Sequence, residues 1–186
     1  MEVFSGRPAD LSGRSVKEIR TYDLLDSAGI EYTRADHSAA DTMDDCVLIG
    51  ISLDTHVCKN LFLRNRQATK FYLLMMPADK PFKTKHISAQ LGCARLSFAE
   101  PEYMETFLGI SPGSVSVMGL MNDINCRVNL VVDRELLKED TIGCHPCVNT
   151  STLKITTGEL FGKFLSALHR ESRGYITVDL PREENA

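Results

Sequence analysis

No apolar run opens this chain. Its N-terminal stretch, MEVFSGRPADLSGRS, mixes charges with glycines, which argues against a signal peptide or an N-terminal membrane span and leads us to expect a cytoplasmic protein. Internal repeats, low-complexity tracts and long linkers are also missing. The 186 residues, 43% of them hydrophobic, should therefore fold as one domain with a core of ordinary size. There is no excess of positive charge either. A formal net charge of −4 argues against a protein that coats nucleic acid.

What the chain does contain is unevenly placed. Between Thr55 and Ala99, Lys59, Arg64, Arg66, Lys70, Lys80, Lys83, Lys85 and Arg95 stand against the single acid Asp79, so this segment carries +7 and the remainder −11. A basic face on an acidic body is one reading, and solvated side chains scattered over several faces the other. Six cysteines are present. In a reducing compartment, Cys46, Cys58, Cys93 and Cys126 read as small buried side chains.

The other two, Cys144 and Cys147, flank His145 and Pro146 in GCHPC. A redox dithiol sets its first sulfur at a helix N-terminus, where the thiolate is stabilised. Here the residues that follow, VNTSTLKI, are β-branched and alternating, which predicts a strand. On an extended chain, positions three apart face opposite ways and their sulfurs do not meet. A zinc site needs four ligands, and the chain has neither a second C-x-x-C nor an H-x-x-x-H. His145 is then left alone, and a lone histidine is more often a satisfied core or surface residue than a catalyst.

Helices and strands alternate along the sequence. Ser15 and Glu18 have capping-box spacing, Val16, Ile19, Leu24, Leu25 and Ala28 follow one helical face, and Gly29 stops it. A strand over Glu31 to Arg34 and a helix after Thr42 come next. VCKNLFLRNRQATKFYLLMM predicts two strands joined by a polar turn at Arg64 to Gln67. KTKHISAQL reads as a helix, ARLSFA as a strand, PEYMETFL as a helix ended by Gly109, and SPGS as a turn into the apolar run VSVMGL. RVNLVVD and YITVDL are strands. Between them Thr156 and Glu159 repeat the capping-box spacing ahead of a helix carrying Leu160, Phe161, Phe164, Leu165 and Leu168. The class is α/β or α+β with a mixed sheet.

Five short elements recur in one order: KNLFL at 59–63, RLSFA at 95–99, LGISPGSVS at 108–116, GLMND at 119–123 and HPCVNTSTL at 145–153. In this combination the chain resembles the YbaK-type aminoacyl-tRNA deacylases, the family of the editing domain inserted in bacterial prolyl-tRNA synthetases and of its freestanding relatives. The resemblance runs over residues 15–180, leaving 1–14 as an N-terminal extension and 181–186 as a tail. It implies a single compact α/β domain with a strongly curved mixed sheet flanked by helices, and a pocket for the aminoacyl-adenosine end of tRNA.

The resemblance also implies roles. Lys59 and Asn60 belong at the active site, with Lys59 holding the tRNA 3′ end. The family's G-x-x-x-P loop falls on Gly113, Ser114, Val115, Ser116 and Val117, whose backbone N–H groups would face the scissile ester. Val117 stands where the family has proline, and Met118 where freestanding members often have an aromatic. His145 and Pro146 form the pocket element, with Asn149 and Thr150 behind it. Arg64, Arg66 and Lys70, on the same hairpin as Lys59, would steer the acceptor stem. Hydrolysis by a positioned water, assisted by the tRNA 2′-hydroxyl, needs no cofactor and no metal. The implied partner is the acceptor end of an aminoacyl-tRNA, Ala-tRNA(Pro) by preference, and prolyl-tRNA synthetase is admitted as a second; neither DNA nor a membrane is expected. Three other readings stay open on the residues: a noncatalytic amino-acid- or synthetase-binding module of the same fold, a covalent route through Cys147 beside His145, and a dithiol or metal protein built on CHPC.

Overall fold

The computed structural model of the chain describes residues 1–40, 42–168 and 174–182. Strand β1 (Val3–Ser5) leads to helix α1 (Val16–Ser27), β2 (Tyr32–Asp36), α2 (Met43–Leu53), β3 (His56–Val57), β4 (Lys59–Asn65) and β5 (Phe71–Met76). Next come α3 (Thr84–Gln90), β6 (Leu96–Phe98), α4 (Pro101–Leu108), a 3-10 helix (Val117–Asn122) and β7 (Val128–Asp133). The chain continues with β8 (Thr141–Cys144), β9 (Ser151–Thr156), α5 (Thr157–Glu159), a π-helical turn (Leu160–Phe164), α6 (Leu165–Ala167) and β10 (Ile176–Val178).

The ten strands form two mixed five-stranded sheets, in the orders β1-β2-β9-β8-β3 and β10-β7-β5-β4-β6. The expected single curved sheet is thus divided in two, and one extended segment crosses between them. β3 pairs parallel with β8 in the first sheet, the Cys58 N–H donates to the Gly143 carbonyl at 3.1 Å, and from Lys59 onward the chain pairs with β5 in the second. β5 sits between β7 and β4, which is why FYLLMM is apolar throughout and buried on both faces. Its alternate residues serve two cores. Phe71, Leu73 and Met75 meet α1, β8 and the π-helical turn, while Leu74 and Met76 pack with Ile87, Leu96, Val131 and Val178.

Helix starts follow the capping chemistry, with one difference. Thr42 and Asp45 make a full reciprocal box at α2. At α1, Ser15 caps the Glu18 N–H, but the Glu18 carboxylate turns to Arg14 at 2.7 Å and the Tyr22 hydroxyl at 2.8 Å. Its burial makes the charged partner the better one.

Several short elements differ from the sequence reading. VSVMGL contributes the 3-10 helix, VNTSTLKI turns through Thr150 before extending at Ser151, and β1, β3 and β8 are strands the pattern did not announce. β1, inside the segment read as an extension, pairs with β2. The 3-10 helix lies so close to the end of α4 that a Cβ on Gly119 would come within 3.0 Å of the Leu108 Cβ and 2.5 Å of the Ile110 Cδ1 just beyond it; glycine permits the approach. A buried ion pair ties the far end of the second sheet together: the Lys80 ammonium reaches Asp133 at 2.9 and 3.0 Å, Glu135 at 2.8 Å and the Leu180 carbonyl at 2.9 Å.

Candidate active site

The loop between β8 and β9 holds His145, and three neighbours fix its ring. Nδ1 lies 3.0 Å from the Ser151 carbonyl, so it carries the proton and donates. It is also 3.1 Å from the Thr152 hydroxyl. That hydroxyl lies 2.9 Å from His37 Nε2, and His37 Nδ1 lies 2.7 Å from the Ser38 carbonyl. Hydrogen-bond logic then assigns both tautomers: His37 donates through Nδ1 and accepts the Thr152 proton at Nε2. His145 Nε2 makes no hydrogen bond among the described residues and presents a lone pair. Burial pushes the His145 pKa down, the Ser151 carbonyl opposes that, and nearby His37 lowers it further. The imidazole is therefore a neutral acceptor near pH 7.

This depression has a stability consequence. The unfolded chain takes up the proton near the ordinary value of about 6.5, while folded His145 resists it until lower pH. Its contribution is present above that ordinary value and is lost as pH falls through the folded one, at no more than about 1.4 kcal/mol per pH unit. Urea unfolding between pH 7.5 and 5 should therefore show the native chain losing stability faster than His145→Asn. Parallel curves would contradict the burial argument.

The glycine loop meets this histidine from the other side. Ser116 is wholly buried; its hydroxyl donates to the His145 carbonyl at 2.5 Å and accepts from the Met118 N–H at 3.2 Å. One side chain thus caps the 3-10 helix and staples the loop to the HP element. Gly113 has φ +87, and a Cβ there would meet Asn149 Nδ2 at 3.9 Å. Ser114 and Val115 lie between, partly buried. Val117 and Met118 are fully enclosed in the main core, so they back the loop rather than line an open wall. Val117 follows the Ser116 cap as the first residue of the 3-10 helix, where a proline ring would also fit. Core burial and the cap hold this loop without the ring.

Asn149 and Thr150 act through their backbones as well. Their carbonyls accept from Ala40 and His37 at 2.9 and 3.0 Å, which brings the segment after β2 to the site. Pro146 is buried beside His145. His37 and Thr152 were not singled out from sequence. His37 stands just after a strand, in no motif the residues announced, and its link to His145 spans more than a hundred positions.

The KN pair is split by the pleat of β4. Lys59 shares its face with Leu61 and Leu63, toward the second core, and Asn60 shares its face with Phe62, toward the main one. Lys59 Nζ donates to the Lys80 carbonyl at 3.0 Å. Burial lowers its pKa, with Asp79 opposing. Among the described residues no hydrogen bond or ion pair joins Lys59 to the Gly113–His145 cluster. Asn60 Nδ2 reaches the Cys58 sulfur at 3.3 Å, and its Oδ1 is buried with no partner among the described residues. Thr33 Oγ1 and Ser151 Oγ share that condition; a buried acceptor without a partner leaves room for a water or a ligand group.

GCHPC now has a structural answer. Cys144 and Cys147 are free thiols, and Cys147 occupies the left-handed region with φ 63, turning the chain where an extended strand was expected. Its sulfur accepts from the Thr21 hydroxyl at 3.7 Å. Burial raises Cys147 to about 11 and Cys58 to about 12, and lifts Cys144 well above the ordinary range. A nucleophilic thiolate is disfavoured at such a place, which removes the support for a covalent route. Among the described residues no three His, Cys, Asp or Glu side chains are arranged to hold a metal ion, and no helix is long and apolar enough to cross a membrane.

Of the basic hairpin, Arg64 is engaged with Glu100, through Nε at 2.6 Å and a second, shorter contact. Arg66 and Lys70 are exposed and form no ion pair among the described residues.

Three comparisons bear on what such a site does. The model of the aminoacyl-tRNA editing domain matches residues 37–162, a span that opens at His37 and includes every residue placed above around His145. The chain is 29% identical over 136 residues to the prolyl-tRNA editing protein ProX of Acetoanaerobium sticklandii, covering 73% of this chain and 83% of that protein. It is 30% identical over 140 residues to prolyl-tRNA synthetase associated domain-containing protein 1 of Danio rerio, covering 74% and 76% respectively. In fold it is similar to the crystal structure of a candidate trans-editing enzyme for prolyl tRNA synthetase, with a TM-score of 0.67 at 18% identity, over 91% of this chain and 99% of that one.

Proposed function

The chain belongs to the aminoacyl-tRNA editing domain family, and from that premise we propose that it hydrolyses the ester of mischarged tRNA in trans, with Ala-tRNA(Pro) as its substrate. The observation that carries the reading is the Ser116 bond to the His145 carbonyl, which joins the glycine loop and the HP element into one cluster with Asn149 beside Gly113. Backbone N–H groups of the Gly113 loop are the donors for the carbonyl oxygen as it gains charge; one such donor is worth ~10²–10³ in rate. His145 Nε2 offers an acceptor to a water or to the terminal ribose hydroxyl, and its neutrality at pH 7 suits that role. Asn60 Oδ1, otherwise unsatisfied, suits the α-ammonium or a ribose hydroxyl. Lys59, a half-buried cation fixed on the Lys80 carbonyl, suits the phosphate of the 3′ end. With the thiols buried, the nucleophile is water.

The need for such an activity is physical. A synthetase pocket that accepts proline discriminates against smaller alanine by only ~1–3 kcal/mol per missing methylene. A second, smaller pocket supplies the rest of the discrimination. The ProX and synthetase-associated names of the two curated relatives support a substrate on the prolyl system. The test is deacylation of Ala-tRNA(Pro), beside Pro-tRNA(Pro), Ser-tRNA and Cys-tRNA(Pro), by the native chain and by Lys59→Ala. Loss of alanine alone, abolished in the variant, is expected. Hydrolysis of none of the four esters would favour a noncatalytic binding module.

A further inference from the structure

About 13 Å along β4 from Lys59, at ~3.3 Å per residue, the second sheet ends in a groove. β6 is its edge strand. The groove holds about 710 Å³ and is lined by Arg64, Arg66, Thr84, Arg95, Ser97 and Phe98, with no acidic side chain among its lining residues. Arg64 is neutralised by Glu100. Arg66 and Arg95 are exposed and form no ion pair among the described residues. Phe98, an aromatic ring on the edge strand, is 55% exposed, and the β4–β6 register places both arginines on one side of it, beyond the Asn65–Leu96 pair.

We infer that this groove is a nucleic-acid contact, in which Phe98 stacks on a base of the single-stranded 3′ end and Arg66 and Arg95 hold phosphates on one side of that base. Its direction follows from register. Phe98 lies directly opposite Leu63, and opposed residues of an antiparallel pair share a face. Leu63 shares that face with Leu61 and Lys59 by alternation. Phe82 backs the Phe98 ring at 5.6 Å and belongs to the same connection whose Lys80 carbonyl holds Lys59. Lys59 and Phe98 therefore stand at the two ends of one face, with Leu61 and Leu63 between them packed into the second core, and a few unpaired nucleotides passing over it span the distance. An aromatic platform with neighbouring arginines is the chemistry of single-stranded RNA binding: the ring is indifferent to base identity, and the cations give salt dependence. The identity of the RNA as a tRNA acceptor end rests on the hydrolase reading; the groove itself does not.

Binding of deacylated tRNA(Pro) to the full chain, followed by fluorescence anisotropy over a salt series, tests it. Phe98→Ala should weaken binding roughly 5- to 150-fold with an unchanged salt slope, and Phe98→Trp should restore it, since base stacking spans that range. Arg66→Glu/Arg95→Glu should reduce the slope of log affinity against log salt by about 1.4, at ~0.7 per single-strand phosphate contact. Lys138→Glu, on an exposed cation away from the groove, should leave both unchanged. Native affinity and slope in the Phe98 and double-arginine variants would overturn the groove even with hydrolysis intact. A native chain that binds tRNA through the groove yet hydrolyses no ester would overturn the hydrolase reading and leave the groove standing.

Discussion

Valine at Gly113 is expected to lower kcat for Ala-tRNA(Pro) by about 10²–10³ while KM changes little. The reason lies in the backbone. Gly113 has φ +87, and its Cβ position is only in ordinary contact with Asn149 at 3.9 Å, so there is room for a side chain but not for its conformation. A β-branched residue there is a genuine outlier and relaxes by rotating the peptide, which turns an N–H away from the ester. Stability should fall by only about 1–2 kcal/mol, the usual strain of a left-handed L-residue. Gly92→Ala is the matching control. It has φ +59 and open space around it, ends α3 far from His145, and should show the same order of strain with no change in kcat. Equal kcat in native chain and Gly113→Val would mean that the loop donates nothing to the transition state.

Lys80→Met is expected to destabilise the fold by about 3–5 kcal/mol, because it leaves Asp133 buried without its cation. Lys80 is 5% exposed and Asp133 1%. Chemical denaturation measures the loss, and Lys80→Met/Asp133→Leu should recover most of it, since removing both partners removes the uncompensated charge. Glu135, held down to about 2 first by Arg182 and then by Lys80, adds a pH dependence. Its contribution is full above the ordinary carboxylate value and is lost as pH falls toward 2, and Lys80→Met should shrink that loss. A second readout connects stability to the site. The Lys80 carbonyl accepts from Lys59, so a displaced Lys80 loosens Lys59, and KM for aminoacyl-tRNA should rise at temperatures where the variant remains folded. A double variant no more stable than the single would show that burial of the pair is not what sustains this corner.

Much of the frame was legible because it depends on neighbours in sequence. Ser15 and Thr42 cap their helices, the two strands of the KNLFL hairpin pair as read, and Gly109 ends α4 in the left-handed conformation. Each is a local consequence of side-chain chemistry or periodicity. The Ser15–Glu18 box formed only by half, since a buried arginine and tyrosine competed for the glutamate. GCHPC misled for a related reason. An alternating run predicts extension, but Cys147 adopts φ 63, and the Thr21 hydroxyl that meets its sulfur lies 126 residues away.

By itself the sequence determined the α/β class, the family and the order of most elements, and named the segments of the candidate site. These rest on short-range pattern, which needs no knowledge of what packs where. Only the tertiary structure decided that the sheet divides at Cys58, that Lys59 and Asn60 serve opposite faces, and that Arg64 is consumed by Glu100 while Arg66 and Arg95 remain exposed beside Phe98. It alone placed His37 and Thr152 behind His145. Hydrogen bonds and burial join groups by distance in space. A histidine after β2 and a threonine on β9 become one proton-ordering chain only when β2 and β9 pair, with Ala35 opposite Thr152.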